Sequence, residues 1–197
     1  MVTLGNNDWL SCNQSRKRLL EIVRERSLIK AEPGKTLDLA SGATSSFYFD
    51  IKKTMYCPEG VKLVADLILS LIEKEGLAAD AIGGLEVGAI PVATAVTVRS
   101  CERDKQIAGF HVRKAPKKHG TRRTIEGYLE QGCNAIIVED VTTTGTSAIH
   151  AIEAVRAHGC KVDHVITVVD RGEGASTNLS RIGVQLFSLL GIDDFDL

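Results

Sequence analysis

Several absences narrow the possibilities before any motif is considered. Only five of the 197 residues are cysteine (Cys12, Cys57, Cys101, Cys133 and Cys160), dispersed, odd in number and never in a C-x-x-C pair. That pattern excludes a disulfide framework and a zinc ribbon, and it points to a reducing, cytoplasmic compartment. Neither sign of charge dominates: 24 Lys and Arg against 25 Asp and Glu leave a net −1. The chain as a whole is therefore neither a basic nucleic-acid binder nor an acidic tail. No uninterrupted apolar run approaches the ~18 residues of a membrane span, and the first twenty residues (MVTLGNNDWLSCNQSRKRLL) lack the apolar stretch of a secretory signal. Repeats and Pro/Ser/Gly-rich linkers are missing too. With 44% apolar and 25% charged residues, the composition is that of a globular chain. The length predicts one domain covering 1–197.

What is present alternates between two periodicities. Residues 13–30 carry apolar side chains near helical spacing. Residues 59–75 predict an amphipathic helix that starts after Pro58 and stops at Gly76. Further helices are predicted over about 88–99 and 145–158. Short strands are predicted near 37–40, 47–51, 79–83, 106–112, 134–138 and 164–169. Strand–helix alternation with short turns means βαβ units, hence an α/β fold with a mainly parallel sheet flanked by helices. Ligands of such sheets sit at the carboxyl ends of the strands, where the strand order reverses. The places to search are immediately after Gly83, Val112, Val138 and Val169.

The sharpest local signal is AIIVEDVTTTGTS, residues 135–147. An apolar strand runs into two acids, Glu139 and Asp140, and then into a loop of Val141, Thr142, Thr143, Thr144, Gly145, Thr146 and Ser147 that opens a helix. Hydroxyls and free backbone N–H groups at a helix N-terminus suit a phosphate monoester. Carboxylates beside them suit sugar hydroxyls or a magnesium ion on those hydroxyls, so the pair of features fits a ribose phosphate. The bland alternative is an acidic turn with a Thr cap, but a cap does not need five hydroxyls. The Walker spacing and the G-x-G-x-x-G fingerprint are both absent.

A second signal is RKAPKKHGTRR, residues 113–123, with Arg113, Lys114, Lys117, Lys118, Arg122, Arg123 and His119 but no acid. Pro116 and Gly120 keep it from being a helix. A cationic loop of this kind can close over a polyanion and stabilise charge on a leaving group. No aromatics interleave with its basic residues, which speaks against single-stranded nucleic acid. A third segment, GGLEVGAIP (83–91), places glycines where backbone can approach an anion closely. A fourth, LASGATSSFYFDIKK (39–53), brings aromatics and lysines together, as a flat acidic ring would require. It also reads as a half-buried edge strand. Finally, Arg171 follows a strand in Val169-Asp170-Arg171, where it can hold a carboxylate or form an ordinary surface ion pair.

Taken together, these segments resemble the type I phosphoribosyltransferases. AIIVEDVTTTGTS is similar to that family's phosphoribosyl pyrophosphate signature. LASGATSSFYFD, GGLEVGAIPVAT, RKAPKKHG, IEG and VVDRGEGA, in that order over about 15–185, resemble its orotate-using branch. The resemblance implies the family fold: a core over about 58–170 and a small hood from about 30–55 and the C-terminal segment that contributes to the base pocket. It implies an orotate phosphoribosyltransferase reaction, from 5-phosphoribosyl 1-pyrophosphate and orotate to orotidine 5′-phosphate and pyrophosphate, in pyrimidine biosynthesis. It implies that Lys117, His119 and Asp140 are catalytic. Phosphoribosyl pyrophosphate would be bound by Arg113, Lys114, Lys117, His119, Glu139, Asp140 and residues 141–147, with 84–88 as the pyrophosphate loop. Orotate would be bound by Tyr48, Phe49, Thr143 and Arg171. Mg²⁺ would be held mainly by substrate, and by Glu139 and Asp140 through water. The resemblance also implies a homodimer in which the basic loop 113–123 serves the neighbouring subunit's site, with neither nucleic acid nor membrane as a partner.

The chain departs from the pattern at three points, one of them Glu139, which precedes Asp140 where the pattern has Asp and is a longer arm with the same charge. Some members carry Lys where this chain has Ala40 and Gly88, so charge there must come from elsewhere, with Lys52 and Lys53 as the candidates. A purine-type transferase with the same sugar site, and a non-catalytic sensor that kept the fold, are the competing readings.

Overall fold

The computed structural model describes residues 6–32, 34–38, 44–103, 105–115 and 124–197. In chain order they form α1 (Asn6–Arg26), β1 (Leu28–Lys30), β2 (Leu37–Asp38), β3 (Thr44–Ser45), β4 (Phe47–Phe49), α2 (Ile51–Met55), α3 (Pro58–Glu75), β5 (Ala81–Gly83), α4 (Ala89–Ser100), β6 (Ala108–Val112), β7 (Ile125–Gly127), β8 (Asn134–Thr142), α5 (Thr146–Ala157), β9 (Lys161–Asp170), α6 (Ala175–Ser180) and β10 (Gln185–Gly191).

Six strands make one sheet in the order β10-β9-β8-β5-β6-β7. Every pair in it is parallel except the β6–β7 edge. The middle strand shows why. On β8, Ile136 and Val138 belong to the core on one face, and Ala135 and Ile137 to the core on the other. A strand buried on both faces must be apolar throughout. Helices α1, α3 and α4 cover the first face, and α5 and α6 the second. Each fully buried Ile or Val contributes about 1.5–3 kcal/mol by leaving water.

After β5 the chain goes to β6 on one side, then returns to β8 on the other, so the order reverses between β5 and β8. The carboxyl ends of these two strands form the crevice that such sheets use for ligands. The opposite end of the same pair is fastened by Asp80. Its Oδ2 accepts from the backbone N–H (2.9 Å) and the side-chain amide (2.8 Å) of Asn134, and its Oδ1 lies 3.1 Å from Lys105 Nζ. The Asn134 N–H groups, joined by Lys105, hold the Asp80 carboxyl down at about 2.

Three predicted boundaries shift for tertiary reasons. The helix expected over 13–30 ends at Arg26, because Ser27 Oγ pairs with Thr54 Oγ1 at 2.7 Å and residues 28–30 pair antiparallel with 47–49. The strand expected over 47–51 stops at Phe49, and Ile51 starts α2. Strand β8 runs on through both acids to Thr142, because β9 continues its ladder as far as Thr142↔Asp170. The strand expected over 37–40 is seen as Leu37–Asp38, and its last two residues lie outside the described ones. Among the described residues no helix is long and apolar enough to cross a membrane.

Candidate active site

The loop that leaves β5 meets β8 at Asp140. A Cβ built on Gly88 would stand 2.5 Å from the Asp140 Cγ, so with the Asp140 carboxylate in this position the glycine loop passes it because it carries no side chain there. On the far side of the acid pair, Glu139 and residues 141–148 line a hollow of about 60 Å³. That volume is of the size a small polar group fills. Its floor is the start of α5, whose first N–H groups have no partner within the helix. Gly145 caps α5 with φ +81°, a conformation most side chains disfavour. The loop is braced from outside, since Asn178 Nδ2 donates to Thr144 O at 2.9 Å and the Thr144 and Thr146 hydroxyls pair at 2.9 Å.

Neighbours on a strand have different surroundings: Asp140 lies against Gly88, and Glu139 lines the hollow. Glu139 is only 6% exposed, and its Oε1 is buried without a hydrogen-bond partner. Burial, helped by the neighbouring Asp140 charge and opposed by Lys114, pushes its carboxyl up to about 8. Asp140 is also raised by burial. The Val141 N–H, which donates to Asp140 Oδ1 at 2.9 Å, and the Lys52 charge both work against that rise. Lys52 is itself raised, first by Asp50, 2.9 Å away, then by Tyr48 and by Asp140. Of the two lysines considered as substitutes for the charge lacking at Gly88, Lys52 is thus the one whose field reaches Asp140. The Thr142 hydroxyl is buried and unpartnered as well. Unpaired buried acids and hydroxyls are costly, and groups of this kind gather where a ligand supplies the missing partners.

A divalent cation such as magnesium takes about six oxygen ligands. Glu139 and Asp140 offer two carboxylates, and no cluster of three or more His, Cys, Asp or Glu ligands exists among the described residues. The donor set fits a hard cation that brings most of its shell with a bound substrate.

Arg171 follows β9 next to this crevice. Its backbone N–H donates to Thr142 O at 2.9 Å. Its guanidinium sits 4.6 Å from the centre of the Phe47 ring, donates to Ser45 Oγ at 3.3 Å and lies 2.8 Å from Glu173 Oε1. The aromatic beside Arg171 is therefore Phe47. Phe49, expected to line a ring pocket, is buried in the core, edge-on to Phe47 at 5.7 Å and 4.8 Å from Phe195. Period-two alternation puts residues 47 and 49 on one face, and only the packing of the C-terminal segment decides which is covered. Tyr48 points the other way and stays partly exposed.

Arg113 and Lys114 follow directly after β6, on the edge of the crevice, and both approach Glu86 of the glycine loop. The acid in GGLEVG was visible in the sequence, but nothing local gave it a partner. Lys117, Lys118, His119, Arg122, Arg123 and Ala40 lie outside the described residues.

A crevice at a strand-order reversal, an acid pair and a hydroxyl-lined helix N-terminus are the parts of a sugar-phosphate site. In agreement, the family model for a phosphoribosyl transferase domain matches residues 55–180. An orotate phosphoribosyltransferase of Rhodopseudomonas palustris (strain BisB5) is 44% identical over 190 residues, covering 94% of this chain and 98% of that protein. The crystal structure of Mycobacterium tuberculosis H37Rv orotate phosphoribosyltransferase in complex with Fe(III) dicitrate is similar with a TM-score of 0.80 and 35% identity, covering 93% of this chain and 99% of that one. The same enzyme in complex with 5-phospho-alpha-D-ribosyl 1-diphosphate gives 0.76 and 33% over the same shares. The chain belongs to the orotate phosphoribosyltransferase family, whose members are pentosyltransferases.

Proposed function

We propose that this chain transfers the phosphoribosyl group of 5-phosphoribosyl 1-pyrophosphate to orotate with Mg²⁺, releasing pyrophosphate and forming orotidine 5′-phosphate in pyrimidine (UMP) biosynthesis. The observation that carries the reading is the meeting of Gly88 with Asp140 beside the hollow of residues 141–148. It sets a backbone-lined anion site and a phosphate cradle on either side of one acid pair.

In this reading the 5′-phosphate sits on the N–H groups and hydroxyls of 141–147. Glu139 and Asp140 face the ribose hydroxyls, and Arg113, Lys114, Lys117 and His119 receive the pyrophosphate. Thr143, Tyr48 and Arg171 hold orotate, with Phe47 under the guanidinium; Phe49 supports that strand from the core. The ring nitrogen of orotate attacks the anomeric carbon, so no enzyme nucleophile is required. Positive charge grows on the sugar and negative charge on the leaving group, and the side chains act by position and field. Mg²⁺, when bound, would supply charge neutralisation at the leaving group, and Glu139 and Asp140 are the residues that would hold it, through water. Lys52 sets the field at Asp140 that a lysine at position 88 would otherwise set.

The whole chain, 1–197, works as one catalytic domain in the cytoplasm, where its five free cysteines stay reduced. The working form is a homodimer. A groove of about 560 Å³ between α4 and the β6–β7 edge is lined by Ile90, Ala93, Val98, Phe110 and Tyr128, beside the root of the basic loop, and Val98 and Tyr128 are each more than 60% exposed. A second copy covering this face lets the basic loop 113–123 be shared across the subunits, with Lys117 and His119 serving the neighbour's site. The deciding assay is the loss of orotate absorbance on adding phosphoribosyl pyrophosphate and Mg²⁺, run beside hypoxanthine, guanine and adenine. Turnover of a purine, or of no base, overturns the reading.

A further inference from the structure

We propose that Glu86 is a positioning residue for the diphosphate side of this site. Its carboxylate clasps the first residues of the basic segment to the glycine loop, and so sets where Arg113 and Lys114 stand. The inference rests on the assignment of that side to diphosphate made above.

The glycine loop runs on past β5 alongside the end of β6. Val112 N–H donates to Gly84 O and Glu86 N–H donates to Val112 O, each at 2.8 Å. There the backbone ladder ends, while the cationic residues are still to come. The Glu86 side chain extends the connection. Oε1 accepts from the Lys114 backbone N–H at 3.0 Å, and Oε2 lies 3.9 Å from Arg113 Nη1. Arg113 is fixed from the other side by its own N–H, which donates to Thr124 O at 2.8 Å. Both oxygens of one carboxylate are thus engaged by consecutive residues of the basic segment.

The location argues for a role. A carboxylate next to residues that receive a polyanion opposes that anion through space, and a surface ion pair at 3.9 Å returns little. The stronger contact is the charge-assisted bond to the Lys114 N–H. It orients the peptide from which the segment departs, and it joins two loops that would otherwise move separately against a shared ligand. Such a clasp acts through Arg113 and Lys114 and leaves the orotate side, across the crevice at Arg171, unaffected.

The test uses the full-length chain with Glu86→Ala and Glu86→Gln. KM and kcat are measured for each substrate at saturation of the other, alongside thermal melting. The expected result is a KM for phosphoribosyl pyrophosphate raised roughly tenfold in Glu86→Ala, as loss of one charge-assisted hydrogen bond predicts. The KM for orotate stays unchanged, and Glu86→Gln is largely restored because its amide oxygen still accepts from Lys114. A Glu86→Ala enzyme with unchanged KM for phosphoribosyl pyrophosphate overturns the clasp. Equal losses for both substrates, or a Gln variant as poor as Ala with an equally lowered melting temperature, mark Glu86 as merely structural and overturn it too. Calorimetric titration with inorganic diphosphate separates this from the reading it rests on. If the unaltered chain turns over no orotate but binds diphosphate, a roughly tenfold weaker affinity in Glu86→Ala upholds the clasp, and an equal affinity refutes it.

Discussion

Replacing Glu139 with Gln is expected to make the ligand-free protein more stable, by an amount that grows with pH. The buried carboxyl is pushed up to about 8 in the folded chain, from an ordinary value of 4.5. The native state therefore holds its proton longer than the unfolded chain does, and the stability of the unaltered protein falls as pH rises from about 4.5 to about 8. At 1.36 kcal/mol per pKa unit the penalty is about 1 kcal/mol at pH 5, about 3 kcal/mol at pH 7 and about 5 kcal/mol above pH 8. Glutamine fills the same space, carries no charge at any of these values and escapes the penalty. Urea unfolding followed by far-ultraviolet circular dichroism checks this, with chelator present and phosphate absent so that no bound ion stabilises the native state. The advantage of Glu139→Gln should widen steadily between pH 5 and pH 8. A constant difference, or a variant less stable at pH 7, would show that the carboxyl is solvated and that the reasoning from its burial is wrong. The same variant should lose activity, since the acid costs stability in return for ligand contacts.

Gly88→Ala should lower kcat/KM by at least about 100-fold with little change in melting temperature, because a Cβ within 2.5 Å of the Asp140 carboxylate displaces that group rather than the core; steady-state rates near the unaltered value would remove Asp140 from the chemistry. Asp80→Ala should cost about 1 kcal/mol at neutral pH, a figure discounted for a side chain 42% exposed. Because its folded value is depressed to about 2, that contribution is present above about pH 4 and fades as pH falls towards 2; acid unfolding curves of the two proteins should converge there. Lys117→Ala should reduce turnover far more than substrate affinity, as a group that completes the site late does; weakened binding with intact turnover speaks against that role.

Much of this architecture is written in short stretches of chain. Pro58 and Gly76 bound α3 because one starts helices well and the other terminates them. The strand–loop–helix order of AIIVEDVTTTGTS follows from its own apolar run, hydroxyls and glycine, so the acid pair and the hydroxyl-lined loop that opens α5 could be located from sequence. Other features depend on contacts between distant segments. Residues 28–30 carry a helix-like pattern yet form a strand, because 47–49 supplies a partner for their backbone. The edge strands β7 and β10 and the short helix α6 lack the long period that marks an element locally. No local pattern tells that Phe47 rather than Phe49 meets Arg171, or that Glu86 reaches Lys114. It was likewise the reversal of strand order between β5 and β8 that pressed Gly88 onto Asp140. Backbone periodicity is a property of neighbours in the chain, and a sequence displays it. Which side chains share a crevice depends on strand order and packing, and only the folded chain decides it.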